Sequence, residues 1–148
     1  MLRISKLADY STVIMVFLAQ GQALASVTDI AKATLISKPT VSKLVKRLVQ
    51  ANLLISERGA KGGYRLARAT DNISVADIVY AIEERTGMTE CTDDHKQCAL
   101  QARCQISQHW RVIDNAISSV LKNVSLTSLI RPANILQFKP KLKEKVSE

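Results

Sequence analysis

Apolar residues recur at helical spacing in the first third of the chain. Between Ser5 and Gln20 they fall on one helical face, formed by Leu7, Tyr10, Ile14, Phe17 and Leu18. Gly21 follows this stretch and is predicted to end the helix as its C′ residue. A second, short helix is expected near Thr28, a good N-cap residue, with Ile30 and Ala31 pointing inward.

The third predicted helix is the most regular. Ser37 is expected to cap it, and Pro39 lies in its first turn, where a missing N–H costs nothing. One face is an apolar stripe of Val41, Leu44, Val45, Leu48 and Val49. The opposite face is polar and basic, with Lys38, Thr40, Ser42, Lys43, Lys46, Arg47 and Gln50. Asn52 is suited to close the helix in a left-handed conformation.

A β-hairpin is predicted after the third helix. Leu53–Ser56 and Tyr64–Leu66 read as short strands, joined by a glycine-rich basic loop over Glu57–Gly63. Ser74 is then expected to cap a helix that continues to about Glu83.

The second half of the chain differs in character. Residues 86–103 show no convincing period, and so long a loop inside a compact domain often has a function. A spacing of 4, 3, 4, 3, 4 follows in the apolar residues Ile106, Trp110, Ile113, Ile117, Val120 and Val124. This heptad-like seam favours a long helix that pairs with its own copy; packing inside one chain is the alternative. One more helical turn is predicted over Ser125–Ile130, and the charged end, Lys139–Lys145, is expected to be disordered.

Charge is distributed unevenly along the 148 residues. Residues 1–68 hold eleven Lys and Arg against three Asp and Glu, whereas residues 69–114 hold four against eight. A basic first half beside an acidic middle indicates a polyanionic partner for the first half only. The longest apolar run, Val13–Ala19, is too short to span a bilayer, and no signal peptide is recognisable, so a cytoplasmic protein is expected.

Two short helices, the second one basic, followed by a basic hairpin are typical of a winged helix-turn-helix. Such a helix fits the major groove, and its first turns usually contact bases. Lys38, Thr40, Ser42 and Lys43 are therefore predicted to contact bases, and Lys46 and Arg47 to contact phosphates. In the hairpin tip, Arg58, Gly59 and Lys61 are suited to phosphate or the minor groove. A solvated helix face and an ordinary tight turn are the alternatives.

The three cysteines lie in the aperiodic, acidic segment. Cys91, Cys98 and Cys104 have the spacing C-x6-C-x5-C, and reduced thiols so close together are natural ligands for soft metals. No C-x2-C pair exists, which disfavours a zinc finger, whereas wider spacing suits an iron–sulfur cluster. His95, His109 and the distant Asp9 are candidates for a fourth ligand, alongside a partner subunit or a small molecule. Incidental buried cysteines are the alternative; thiol catalysis has no supporting His/Asp arrangement, so no enzyme is expected.

Several motifs resemble one family. The sequence resembles winged-helix iron–sulfur regulators that include IscR and NsrR. The matching parts are the opening MLRISKLADY, the segment TDIAKATLISKPTVSKLVKRLVQANLL, the wing ERGAKGGYRLA, the helix ISVADIVYAIEE and the three cysteines before a Trp-containing helix. The resemblance covers residues 1–130. The LADY opening and CTDDHKQCAL look like the regulators of SUF iron–sulfur assembly operons in proteobacteria.

The resemblance implies a homodimer with a cluster on Cys91, Cys98 and Cys104 of each chain. IscR-type members take a histidine three residues after the last cysteine as fourth ligand, and Ser107 occupies that position here. NsrR-type members use an aspartate near the N-terminus of the partner chain, and Asp9 matches it. Neither a 2Fe–2S nor a 4Fe–4S form is favoured.

The predicted fold class is mostly α: a winged helix-turn-helix DNA-binding domain with a small β-hairpin wing and a long C-terminal dimerisation helix. The expected division is a DNA-binding region over 1–84, a cluster-binding loop over 85–105, the dimer helix over 106–130 and a flexible basic tail over 131–148. The predicted function is a sequence-specific DNA-binding transcription regulator, a repressor or an activator. The resemblance implies that occupancy of its iron–sulfur cluster modulates its affinity for DNA and that it controls a SUF assembly operon. Its expected partners are double-stranded DNA and its own copy, without a membrane or a small-molecule substrate. A nitric-oxide-responsive repressor and a zinc-stabilised DNA-binding protein without a sensing role are the alternatives.

Overall fold

The structure, a computed structural model, describes residues 4–21, 24–59, 61–83, 87, 89–93, 98–100 and 103–130. Within them lie α1 (Lys6–Gln20), α2 (Val27–Thr34), α3 (Lys38–Gln50), β1 (Leu54–Glu57), β2 (Gly63–Leu66), α4 (Val75–Ile82), α5 (Ser107–Asn123) and α6 (Leu126–Ile130). The predicted class, mostly helical with a small hairpin, is confirmed. In this part of the chain no helix is both long and apolar enough to cross a membrane. The predicted tail over 131–148 lies outside the described residues.

The core is built where the helices of the first half meet α4 and α6. Ile14 and Met15 of α1, Leu44 of α3 and Ile78 of α4 are fully buried, and Leu126 of α6 completes the same cluster. Burial of these side chains supplies the main driving force for folding. The predicted inward face of α1 is confirmed at Ile14 and Leu18, and Gly21 ends that helix as its C-cap with an extended backbone.

The start of α2 differs from the prediction. Ser26, not Thr28, is the N-cap: its hydroxyl accepts a hydrogen bond from the Asp29 N–H, and the Asp29 carboxylate accepts from the Ser26 N–H, 3.1 Å away. This reciprocal capping box satisfies two N–H groups that a Thr28 cap would leave to solvent. Hydrogen bonds from Ser26 hold the pKa of Asp29 below its usual value.

Helix α3 begins and ends where the sequence predicts. Ser37 is its N-cap residue, although its hydroxyl pairs with the Thr40 hydroxyl at 2.8 Å instead of capping the backbone. At the other end Asn52 has φ of 56°, its N–H bonds the Val49 carbonyl, and the N–H of Leu53 bonds the Leu48 carbonyl. This is a Schellman motif, which turns the chain sharply into the hairpin.

The hairpin is fixed to the helices by a third stretch of chain. Strands β1 and β2 pair antiparallel, each shifted by one residue from its predicted start, with Leu54 opposite Leu66. Ala25, just before α2, forms a two-way bridge with Tyr64, with N–O distances of 3.1 and 2.9 Å. A Cβ on Gly63 would lie 2.7 Å from the Ala25 carbonyl oxygen, so only glycine permits this approach. The wing therefore has a fixed position relative to α2.

The second half is joined to the first through α4. Ser74 caps α4 in a capping box with Asp77, as predicted for the cap. The chain after α5 returns to this point, because the Val75 N–H bonds the Val124 carbonyl at 2.8 Å. Helix α5 also contacts α4 through the Tyr80 hydroxyl, which donates to the Ser118 Oγ at 2.8 Å. The predicted extra turn after α5 is α6.

Candidate nucleic-acid interface and metal centre

Helix α3 separates an apolar from a basic face. Val41, Leu44, Val45 and Leu48 are fully buried. The exposed face carries Lys38, Lys43 and Lys46, with Thr40 and Ser42 half-buried beside them. No carboxylate in the described part of the chain lies within ion-pairing distance of these three lysines. Their charge is therefore available to an anionic partner.

Arg47 lies differently from the other cations of α3. Its side chain is half-buried, and its Nη1 donates a hydrogen bond to the Ile82 carbonyl oxygen at 2.9 Å. Ile82 is the last residue of α4, where carbonyl groups lack helical partners. The sequence predicted a phosphate contact for Arg47; the structure gives it a role in joining α3 to α4.

The wing presents an exposed basic tip. Arg58, Gly59 and Lys61 are all exposed, and Gly59 has φ of 124°, which a side chain would strain. Ala60 lies outside the described residues. Behind the tip, Arg65 and Glu57 form an ion pair across the two strands at 2.8 Å. Arg65 is thereby engaged in the hairpin, whereas Arg58 and Lys61 extend from it.

The three cysteines are free and half-buried. The Thr89 hydroxyl lies 3.1 Å from the Cys91 Sγ, and the Ser107 hydroxyl donates to the Cys104 carbonyl at 3.2 Å. Among the described residues, no three His, Cys, Asp or Glu side chains converge closely enough to hold one metal ion. The structure thus places the three thiols in one segment between α4 and α5 without bringing them to a common point.

The candidate fourth ligands lie at separate places. Asp9 is exposed in the first turn of α1, and His109 is exposed in the first turn of α5. His95 falls outside the described residues. The Ser5 N–H donates to the Glu83 carboxylate at 3.1 Å, so the first turn of α1 lies beside the end of α4, where the cysteine segment starts. Asp9 therefore lies at the end of the molecule from which that segment leaves.

Helix α5 leaves much of the predicted seam uncovered. No residue of α5 is buried, Ile106 is 57% exposed and Ile113 is 42% exposed. Trp110, Ile117, Val120 and Val124 are half-buried. Val112, outside the seam, is 69% exposed. The helix thus carries an apolar strip that this chain alone covers only in part.

Comparisons with known proteins agree with this architecture. The chain matches a family model named Rrf2, described as iron-dependent transcriptional regulator, over residues 4–132. It is 34% identical over 110 residues to the protein Rrf2 of Nitratidesulfovibrio vulgaris, covering 74% of this chain and 73% of that protein. It is 32% identical to the HTH-type transcriptional regulator IscR of Photobacterium profundum over 74% of this chain, a match that spans 63% of that relative.

The fold is also known from solved structures. CymR, the global cysteine regulator of B. subtilis, matches with a TM-score of 0.69 and 31% identity, covering 88% of this chain and 97% of that chain. These relatives are transcriptional regulators, so the expectation of a regulator and not an enzyme is confirmed, as is the resemblance to IscR-type proteins. By a match over nearly all of its described length, the chain belongs to the Rrf2 family of iron-dependent transcriptional regulators.

Proposed function

We propose that this protein binds double-stranded DNA sequence-specifically as a homodimer and that an iron–sulfur cluster on Cys91, Cys98 and Cys104 changes its affinity for DNA. The observation that carries the proposal is the division of α3: its apolar face is fully buried, whereas Lys38, Lys43 and Lys46 face solvent without carboxylate partners in the described residues. A helix presenting such a face from a winged fold fits the major groove of DNA.

Each basic element has its own part in DNA binding. The first two turns of α3 contact base edges, because the start of a recognition helix reaches deepest into the groove. They carry Lys38, Thr40, Ser42 and Lys43. Lys46 lies a turn further along and contacts phosphate. Arg58 and Lys61 on the wing contact the backbone or the minor groove. The phosphate contact of Arg47 stays a prediction, beside the hydrogen bond of its Nη1 to the Ile82 carbonyl.

The second copy pairs through α5. Ile106 and Ile113 are exposed at seam positions seven residues apart, and the same helix has no fully buried residue. Apolar side chains repeating every seven residues on a helix are covered when a second helix packs along them. A dimer places two α3 helices in successive major grooves, about 34 Å apart.

The donor set fits an iron–sulfur cluster by its chemistry. Three free, half-buried thiols lie in one segment. The fourth ligand, as the resemblance to NsrR-type regulators implies, is Asp9 of the other chain. When bound, the cluster supplies a redox-sensitive cross-link between these side chains. Among the described residues the three thiols do not meet at one point, so cluster binding would bring Cys91, Cys98 and Cys104 together. The Thr89 hydroxyl is placed to donate to a Cys91 thiolate.

Rearrangement of the cysteine segment reaches DNA through two contacts. The segment begins after α4, whose last carbonyl binds Arg47 of α3, and it ends at Cys104, whose carbonyl accepts from Ser107 of α5. We therefore expect a change in the segment to reach both the recognition helix and the dimer helix. Support for a SUF-type assembly operon as the target is the likeness of the LADY opening and CTDDHKQCAL to regulators of those operons.

The proposal is tested by selecting duplexes from a random DNA library with the anaerobically purified protein. We expect enrichment of a palindromic sequence with half-sites one helical turn apart. Lys43→Ala should relax the preference at one base pair and cost about 1–3 kcal/mol. Lys46→Ala, the matched control, should weaken binding to all sequences alike and reduce the salt slope by about one unit. Absence of any enriched sequence would contradict the proposal.

A further inference from the structure

Leu35, in the turn between α2 and α3, has a strained backbone. Its φ of 58° and ψ of 18° are left-handed, a region that glycine and asparagine enter readily and other residues rarely. The other non-glycine residue with positive φ in the described part of the chain is Asn52, which tolerates it. Leucine is therefore an unfavourable choice for this turn on backbone grounds.

Packing does not compensate for this strain. Leu35 is 91% exposed, more than any other large apolar residue in the described chain, whereas the next residue, Ile36, is buried, with only 8% of its surface exposed. The last residue of α2, Thr34, donates its hydroxyl to the Ile30 carbonyl within the same helix at 2.7 Å. The side chain of Leu35 thus buries little surface within its own chain. Backbone strain that no local packing offsets indicates a contact with a partner.

The position of Leu35 identifies the partner. It lies two residues before Ser37, the N-cap of α3, and three before Lys38, at the end of the helix proposed to enter the major groove. The exposed residues that follow Leu35 at the start of α3 include the polar Ser37 and the cationic Lys38. Leu35 is thus a large, exposed apolar side chain at the edge of the face that is proposed to bind DNA.

We infer that Leu35 contacts the 5-methyl group of a thymine at the edge of the half-site. In the major groove the thymine methyl is the apolar group that bases present, and the other base-edge groups are hydrogen-bond donors and acceptors. Leu35 is then a specificity-determining residue that reads thymine while the lysines read acceptors or phosphates. This inference rests on the proposed DNA-binding function.

The test separates backbone strain from DNA contact. Leu35→Gly removes the strain and the side chain together, so the melting temperature of the free protein should stay equal or rise, while affinity for the selected duplex falls about tenfold. Leu35→Met keeps an apolar side chain and should retain most of the affinity. Asn52→Gly, the matched control, relaxes the same backbone conformation at the far end of α3 and should leave affinity unchanged.

The thymine itself is tested in the DNA. Replacing each thymine of the selected duplex by deoxyuridine removes only the methyl group, and at one position the wild type should bind about fourfold more weakly. The Leu35→Gly variant should bind the thymine and the deoxyuridine duplexes with equal affinity. Equal affinities of wild type and Leu35→Gly, or a loss that is the same on every duplex, would overturn the Leu35 contact while DNA binding stands. Failure of the wild type to select any sequence would instead overturn the proposed function.

Discussion

The guanidinium of Arg47, in the last turn of α3, donates to the carbonyl oxygen of Ile82, the last residue of α4, over 2.9 Å. This contact joins the helix with the exposed lysines to the helix that leads into the cysteine segment. The carbonyl at a helix end has no partner within its own helix, so a charged donor is strongly favoured there.

Arg47→Met keeps the aliphatic stem and removes the donor. We expect it to lower the free energy of unfolding by about 2 kcal/mol, because a half-buried carbonyl loses a charged partner. Urea unfolding at one protein concentration measures the change. Lys46→Met, its exposed neighbour, should leave stability within about 0.5 kcal/mol and weaken DNA binding instead. If the two variants had the same free energy of unfolding, the Arg47 contact would contribute nothing measurable to stability.

Ile113→Glu places a charge on the exposed part of the α5 seam. Because Ile113 is 42% exposed in the single chain, the variant should remain folded but form monomers, since two carboxylates would meet across the proposed dimer interface. Sedimentation velocity measures the molecular mass in solution. Asn115→Glu, on an exposed position of the same helix, is the control and should stay dimeric. An unchanged dimer in Ile113→Glu would move the interface elsewhere.

Much of the fold follows from the sequence because burial has a helical period. The stripe of Val41, Leu44, Val45 and Leu48 predicts α3, and Ser74 predicts the start of α4, as the structure confirms. Thr28 was the wrong cap for α2, because Ser26 forms a capping box with Asp29 and starts the helix earlier. Ser26 and Thr28 lie two positions apart and both are favoured N-cap residues, so N-cap propensity alone does not decide between them.

The site was predicted less completely, because tertiary contacts decide its details. The hydrogen bond from Arg47 to the Ile82 carbonyl joins residues 35 positions apart, so no local sequence pattern predicts it. Leu35 was missed because a turn with left-handed backbone is predicted from Gly or Asn, and neither occurs in the segment TLIS. The spacing of the cysteines indicates that they bind one metal centre. It does not determine whether the three thiols lie close together when no metal is bound.

Asp9→Ala tests the proposed fourth ligand. A carboxylate is a harder ligand for iron than thiolate or imidazole, so it is the exchangeable position. The variant should assemble a cluster that decays faster under oxygen, followed by visible absorption, and DNA affinity should change although α3 is untouched. His109→Ala, exposed in the first turn of α5, should do neither. Cluster loss in His109→Ala with a silent Asp9→Ala would exchange the two roles.

In the proposed function the cluster on Cys91, Cys98 and Cys104 controls the affinity for DNA. The most direct measurement is anaerobic fluorescence anisotropy of the selected duplex with loaded protein, with the same preparation after cluster removal, and with the triple cysteine-to-alanine variant. We predict that loaded and cluster-free protein differ in affinity by about 5- to 150-fold, and that the triple variant matches the cluster-free protein. Equal affinities of loaded and cluster-free protein, or a triple variant that keeps its iron and sulfide, would contradict the account.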